Sequence, residues 1–290
     1  MTVVLIASNE DPAGINIKKG LLKLDEWEEY DKFHDNIIYR NTDMKNIYII
    51  TINTRTIKHE NLDIEISKKT DINPKIAIFI TRHRSKSGEP TLTTHPVGNY
   101  TEAKYGGRPK TLLKSAPRLM SELLRIINKN AIKHETYHQV CFEVTHHGPY
   151  MSIPTLFAEV GSIEEEWRKE KPGEIIAESL LGLFENYHYE KDLPSDIPVL
   201  IGVGGGHYAP RFTDVVLEKK SAFGHMIPMY KINQVEDVYE LFENAIQNTP
   251  DVKYAYLHRK TLKKSQIREY KKWFENRGYP VISSKKLVDI

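Results

Sequence analysis

"VVLIASNEDPAG", residues 3–14, sets six residues of strand character directly ahead of Asp11 and Pro12. An Asp followed by Pro is the signature of a helix N-cap with proline in the first turn. The stretch therefore reads as a strand feeding a helix, which runs to about residue 24. Further along, "NIYIITIN" (46–53) and "KIAIFIT" (75–81) are apolar almost throughout, as strands are when both faces of their sheet are covered. Residues 115–130 place Met120, Leu123, Leu124 and Ile127 on one helical face,. Strands are expected at 137–144 and 155–160, followed by Ser162 and Glu165 at capping-box spacing and an amphipathic helix from Pro172 to 187,. "IPVLIGVGGGHYAPRF" (197–212) leads from a strand into a glycine-rich turn, and a helix at about 234–247, a strand at 253–258, a helix at 263–277 and a short "PVISS" complete the chain. Strands and helices interleave throughout, so the fold class is α/β, with helices covering a central sheet. No repeat or linker divides residues 1–290, which read as one domain with room for an N-terminal subdomain.

At 290 residues the chain needs no disulfide or metal staple to fold,. The lone Cys141 excludes a disulfide framework and a Cys-rich zinc site,. No apolar run approaches the roughly 18 residues of a membrane span, and the N-terminus lacks a basic leader, so a cytoplasmic protein is expected,. Net charge is only +2, but it is unevenly spread. Residues 82–118 hold eight Lys or Arg against two Glu, and residues 251–290 hold eleven against four acids. Such asymmetry points to a polyanionic partner. For the C-terminal run, a solvated helix surface is an equal reading.

In α/β folds ligands collect at the carboxyl ends of strands. The first such end is "FITRHRSKSGEPTLTTHPVGNY" (79–100), about 20 residues of connection that is too long to be idle,. It offers Arg82, His83, Arg84, Ser85, Ser87, His95 and Asn99. "EVTHHGP" offers His146 and His147, whose side chains would point opposite ways along a strand,. "GVGGGHYAPR" offers Gly204, Gly205, Gly206, His207, Tyr208 and Arg211. A dinucleotide fingerprint would need glycine where His207 stands and a helix where Pro210 intervenes, and a P-loop would need Gly-Lys-Ser/Thr. The glycines suit either a tight turn or backbone N–H groups presented to an oxyanion or phosphate. "SAFGHMIP" carries His225. Five of the twelve histidines (83, 95, 146, 147 and 207) thus follow expected strands, while His34, His59, His134, His138, His188 and His258 read as structural or exposed. The group could bind a metal with a carboxylate such as Glu143 or Glu159, work as metal-free acid and base, or brace loops.

"TRHRSKSGEPTLTTHPVGN", "THHGP" and "GVGGGHYAPR", in that order, resemble the archaeal and plant D-aminoacyl-tRNA deacylases, the zinc-associated GEKO family. The likeness runs from "IASNEDPAG" to the basic C-terminal region, with Thr81 in place of the usual serine. It implies hydrolysis of the ester joining a D-amino acid to the terminal ribose of tRNA. It also implies Zn2+, a cytoplasmic monomer, and a central mixed sheet of the phosphorylase/peptidyl-tRNA hydrolase type. On this resemblance His83, His146, His147 and His95 are the catalytic candidates. His146, His147, His207 and Glu143 are the metal candidates. Arg82, Arg84, Ser85, Asn99, Gly204, Gly205, Gly206, Tyr208 and Arg211 are the candidates for holding substrate, the arginines on phosphate or the ester carbonyl. The basic segments would supply tRNA phosphate contacts. Another RNA-linked esterase, such as a peptidyl-tRNA hydrolase, or a noncatalytic tRNA-binding protein would share these features.

Overall fold

Asp11 does cap a helix, and it does more than that. In the computed structural model, which describes residues 1–187 and 196–290, β1 (Val3–Ser8) runs into α1 (Pro12–Leu24). One Asp11 oxygen accepts from the Gly14 N–H at 2.9 Å and the other from the Arg82 N–H at 3.0 Å. The cap thereby ties the first helix to the end of a neighbouring strand. A hairpin of β2 (Trp27–Phe33) and β3 (Asn36–Asn41) follows, then β4 (Ile47–Ile52), α2 (Leu62–Lys69), β5 (Ile76–Arg82), β6 (Thr91–Pro96), and the short pair β7 (Gly98–Asn99) and β8 (Thr111–Leu112). Next come α3 (Pro117–Lys133), β9 (Gln139–Phe142), β10 (Thr155–Gly161), α4 (Glu164–Trp167) and α5 (Glu170–Asn186). The chain continues through β11 (Val199–Val203), α6 (Pro210–Glu218), β12 (Ala222–Ile227), α7 (Met229–Ile232), α8 (Val238–Gln247), β13 (Val252–Leu257) and α9 (Lys264–Glu275).

The main sheet has the order β2-β3-β4-β1-β5-β10-β6-β9. Its centre, β4-β1-β5-β10, is parallel, while β6 enters antiparallel to β10, so the sheet is mixed. Alternation along β1 decides what covers each face. Val3, Leu5 and Ala7 face Ile17, Leu21 and Leu180 of α1 and α5, whereas Val4 and Ile6 face Leu62 and Ile66 of α2. Helices therefore cover both faces, as expected. Burying a side chain such as Ile17 or Leu62 is worth roughly 1.5–3 kcal/mol. A second, parallel sheet, β12-β11-β13, packs one face into the main core through Leu200, Phe223 and Met226. Its other face lies under α8 and α9 through Phe242 and Phe274.

Several local expectations fail for identifiable reasons. Residues 91–96 belong to no loop: "TLTTHP" is β6, fully buried between β10 and β9, and its polarity hid it. The connection after β5 is correspondingly shorter. Pro210 does not prevent a helix; it opens α6 at the first position, where its missing N–H costs nothing,. The capping box at Ser162 and Glu165 does not form, because α4 is entered from Ile163 without a side-chain cap. The β2–β3 hairpin is half exposed and so carries little apolar signal. Among the described residues no helix is long and apolar enough to cross a membrane.

Candidate active site

The site starts from two acids placed by sheet register. Glu159 on β10 lies opposite Thr93 of β6 and beside Thr81 of β5, and Glu143 follows the end of β9. Each carboxylate is held by a threonine: Thr93 Oγ1 donates to Glu143 Oε1 and Thr81 Oγ1 to Glu159 Oε1, both at 2.6 Å. A serine at residue 81 would present the same hydroxyl, which explains why the threonine there is a mild departure. Glu143 is 0% and Glu159 2% exposed. Charges this deep are tolerated only when compensated.

Histidines supply the compensation. His83 Nδ1 lies 3.1 Å from Glu143 Oε2 and 3.5 Å from Glu159 Oε2. His95 Nε2 lies 3.6 Å from Glu159, while His146 and His207 bring Nε2 to 3.5 and 2.9 Å from Glu143. Burial pushes His83 down, but the Glu143 and Glu159 carboxylates outweigh it and raise the imidazole to about 9. His95 is raised in the same way, chiefly by Glu159 against the cost of burial. Both glutamates are lowered, since the neighbouring imidazoles overcome the desolvation that would raise them.

His146 and His147 behave differently. The side chains do not point opposite ways, because His147 adopts φ +40°, which breaks strand alternation. Their rings lie 4.3 Å apart and 4.1 and 4.9 Å from His95. Each places Nδ1 on a backbone carbonyl, His146 on Val144 at 2.8 Å and His147 on Gly148 at 2.7 Å. That bond fixes the tautomer and leaves Nε2 as a lone pair. Burial, with the neighbouring histidines, lowers His146 well below its usual value and His147 to about 4.

Three sets of donor atoms converge closely enough for a metal ion: His83, Glu143, His146 and His207; His95, His146 and His147; and His95, Glu143 and Glu159. Buried atoms without a hydrogen-bond partner concentrate here, among them His83 Nε2, His95 Nε2, Glu143 Oε2 and Glu159 Oε2. Such a cluster of orphaned N and O donors fits a cation of the imidazole-preferring kind. His147 falls outside the set built on Glu143, and His83, first read as a catalytic candidate, falls inside it. His146, His147 and His207 also line a cavity of about 460 Å3.

Residues 70–282 match the model of a protein family described as D-aminoacyl-tRNA deacylase. The chain belongs to the D-aminoacyl-tRNA deacylase family. The D-aminoacyl-tRNA deacylase of Pyrococcus abyssi is 38% identical over 229 residues, 78% of this chain and 80% of that protein. Its namesake from Methanosarcina mazei is 33% identical over 290 residues, covering 98% of this chain and 93% of that protein. A crystal structure of a conserved protein of unknown function superposes with a TM-score of 0.86 at 30% identity, over 99% of this chain and 96% of that one.

Around this deacylase cluster the other sequence candidates scatter. Arg82 and Arg84 turn away from His83, stack over Trp167 at 5.1 and 5.0 Å, and line a separate shallow cavity with Arg168. Alternation along the strand end accounts for this: residues flanking His83 face the other way. Arg211 donates to the Tyr256 hydroxyl and to Ser284 Oγ beside the second sheet. Ser85 Oγ meets Ser87 Oγ on a surface bend. Gly204 and Gly205 commit their N–H groups to Ile227 O and Thr261 Oγ1, so neither is aimed at an oxyanion. Their φ of +104° and +88°, with Thr261 and His258 packed close, explain the glycines, and Gly206 leads the chain to His207. Asn99 does line the main cavity, with its amide donating to Gly106 O, and Tyr208 packs edge-on against His83 and His207. His225 is structural: its Nε2 donates to Leu113 O and its Nδ1 accepts from Thr145 Oγ1. His34 and His59 share Glu65, His134 meets Glu178, His138 meets Glu166, and His258 packs against the glycine turn. His188 lies outside the described residues. Tyr105, Tyr230 and Lys231 of the cavity wall gave no motif in the sequence.

Proposed function

We propose that this deacylase hydrolyses the ester between a D-amino acid and the terminal ribose of tRNA, with zinc bound among the clustered histidines and glutamates. The observation that carries the reading is the meeting of two buried carboxylates and five histidines, three of which (His146, His147 and His207) line the 460 Å3 cavity, in a chain of this family. Hydrolysing an ester at neutral pH needs an activated water and stabilisation of the developing oxyanion. Zinc would supply both by acidifying a water and polarising the carbonyl. His83, Glu143, His146 and His207 would hold it, His83 as a neutral imidazole,. His147, neutral and with Nδ1 already bonded to Gly148 O, keeps an Nε2 lone pair that can accept the proton of the attacking water. His95 and Glu159 brace His147 and His83 from behind, and Thr93 and Thr81 keep both carboxylates oriented. One continuous core running from Val3 to Tyr256 and Leu287 supports a single domain over residues 1–290. We place this domain in the cytoplasm as a monomer, where charged tRNA is met.

The test compares release of tyrosine from D-tyrosyl-tRNA and L-tyrosyl-tRNA, alongside metal analysis of the freshly purified protein. Stoichiometric zinc, selective release of the D-amino acid, and loss of both on chelation are expected. Equal release of both enantiomers would overturn the D-selectivity, and full activity in metal-free protein would overturn the zinc.

A further inference from the structure

The cavity beside the histidines carries two tyrosines that ester cleavage does not require. Tyr105 is 67% and Tyr230 38% exposed, yet both line the same wall as His146, His147 and His207. Each has a lysine as its sequence neighbour, Lys104 and Lys231, and both lysines line the cavity too. Exposed aromatic rings interleaved with cations are the pattern of a single-stranded nucleic-acid platform, where bases stack and phosphates find positive charge.

Neither tyrosine is loosely placed. The Tyr105 carbonyl accepts from the Gly148 N–H at 3.2 Å, and the next turn of its loop is held where Gly107 N–H donates to Glu60 Oε1 at 2.7 Å. A Cβ added at Gly148 would sit 2.1 Å from Gly107 N, and one at Gly106 1.6 Å from Ile57 O, so these backbones touch with no room for side chains. Tyr105 is thus registered to the His147–Gly148 turn. Tyr230 sits on α7, whose Met229 N–H donates to Gly205 O at 3.0 Å, and is thereby registered to the loop that carries His207.

Resting on the deacylase reading above, we infer that the cavity seats the 3′-terminal nucleotide of tRNA, with its base stacked on Tyr105 and Tyr230 and its phosphate against Lys231. Lys231 Nζ is aimed by hydrogen bonds to Thr101 Oγ1 at 2.6 Å and Gln234 Oε1 at 3.2 Å. Half-burial lowers its pKa, so an anion beside it is favoured. Lys104 is matched by Glu102 at 3.0 Å. These three charged side chains therefore leave one net positive charge, which suits a single phosphodiester and not a polyphosphate. Stacking is tolerant of base identity, and a platform at the cavity wall would leave the acyl group free to reach the imidazoles.

The test is equilibrium binding of the full chain to a short RNA ending in CCA, to the same RNA with an abasic 3′ end, and to adenosine monophosphate. Tyr105→Ala and Tyr230→Ala should each weaken binding of the CCA-ended RNA roughly 10-fold or more, and Tyr105→Phe should restore it. With D-tyrosyl-tRNA as substrate the same loss should appear in KM. The inference is overturned if both alanine variants bind the CCA-ended RNA as the unaltered chain does, or if removing the terminal base makes no difference. Adenosine monophosphate binding as tightly as the RNA would overturn it too, by making a free nucleotide the occupant. If binding depends on the tyrosines but no tyrosine is released from D-tyrosyl-tRNA, the hydrolytic reading fails and this one stands.

Discussion

His83 and His95 lie between or against the carboxylates of Glu143 and Glu159, while His146 and His147 commit Nδ1 to backbone carbonyls and pack on one another, His146 keeping Nε2 3.5 Å from Glu143. All four are buried or half-buried, so burial alone cannot distinguish them. What differs is the neighbouring charge. At an effective dielectric near 20, opposite charges about 3 Å apart attract by roughly 5 kcal/mol, enough to offset a desolvation penalty of several kcal/mol. At His83 and His95 that attraction outweighs burial and raises the pKa; at His146 and His147 burial and the neighbouring imidazoles win and lower it, even though His146 Nε2 lies 3.5 Å from Glu143. One residue type thus provides counter-ions for the acids and free lone pairs facing the cavity.

The largest effects should come from erasing that difference. Glu143→Ala removes the charge that His83, His146 and His207 converge on, and should cut turnover of D-tyrosyl-tRNA about 1000-fold or more while stripping bound metal. His147→Ala should cost about 100-fold or more in turnover but leave the Glu143 donor set loaded. Metal content measured beside kcat separates the two. If Glu143→Ala kept its metal, or His147→Ala kept near-normal turnover, the division between binding and proton-accepting groups would be wrong.

How much of this was legible in the chain follows the same lines. The central strands announced themselves because β1, β4 and β5 are apolar on both faces. β6 did not, since Thr93 and His95 on one of its faces meet the buried carboxylates of Glu143 and Glu159 and so carry no apolar signal. In retrospect the period-two spacing of Thr91, Thr93 and His95 was the available signal,. The histidines were identifiable as a group from their positions after strands, and Glu143 and Glu159 as plausible acids. Their pairing was not, because it depends on the β10–β6 register. Arg82 and Arg84 misled for a related reason: adjacency to His83 in sequence means opposite faces in an extended chain.

A smaller effect should appear in the pH dependence of stability of metal-free protein. His83 is raised to about 9, so its contribution is complete below about 6.5, the usual value, and is lost as pH climbs toward 9,. His147 and the buried His225 are both lowered to about 4, so from about 6.5 down to 4 the unfolded chain gains protons that the folded one refuses, and stability falls,. The two trends have opposite signs and meet near pH 6.5. Thermal unfolding between pH 4 and 10 should therefore peak there. His225→Asn, which removes one of the groups acting on the acid side, should flatten that limb and leave the alkaline limb in place. A melting temperature that is level across the range would remove the charged-versus-neutral contrast.

The smallest effect concerns the basic surface remote from the histidines. Lys263, Lys264, Lys271 and Lys272 belong to α9 and its N-terminal approach, and Lys271 has Glu275 at 3.7 Å as a partner. If this face meets tRNA phosphates, reversing all four to Glu should weaken tRNA binding about 10-fold or more and flatten its dependence on salt, because fewer counterions are released. Hydrolysis of a small D-tyrosine ester should be unaffected, since α9 packs on the far face of the second sheet. Arg82 and Arg84 are now expected to behave in the same way. They stack on Trp167 and line a cavity separate from that of His146 and His147, so Arg82→Ala with Arg84→Ala should alter tRNA affinity and spare the small ester. Were the small ester to suffer as much as the tRNA, the arginines would have to act on the reacting group despite facing away from it. An unchanged affinity and salt slope after the four lysine reversals would instead leave α9 an ordinary solvated helix, and confine docking to the cavity mouth and the surface around Trp167.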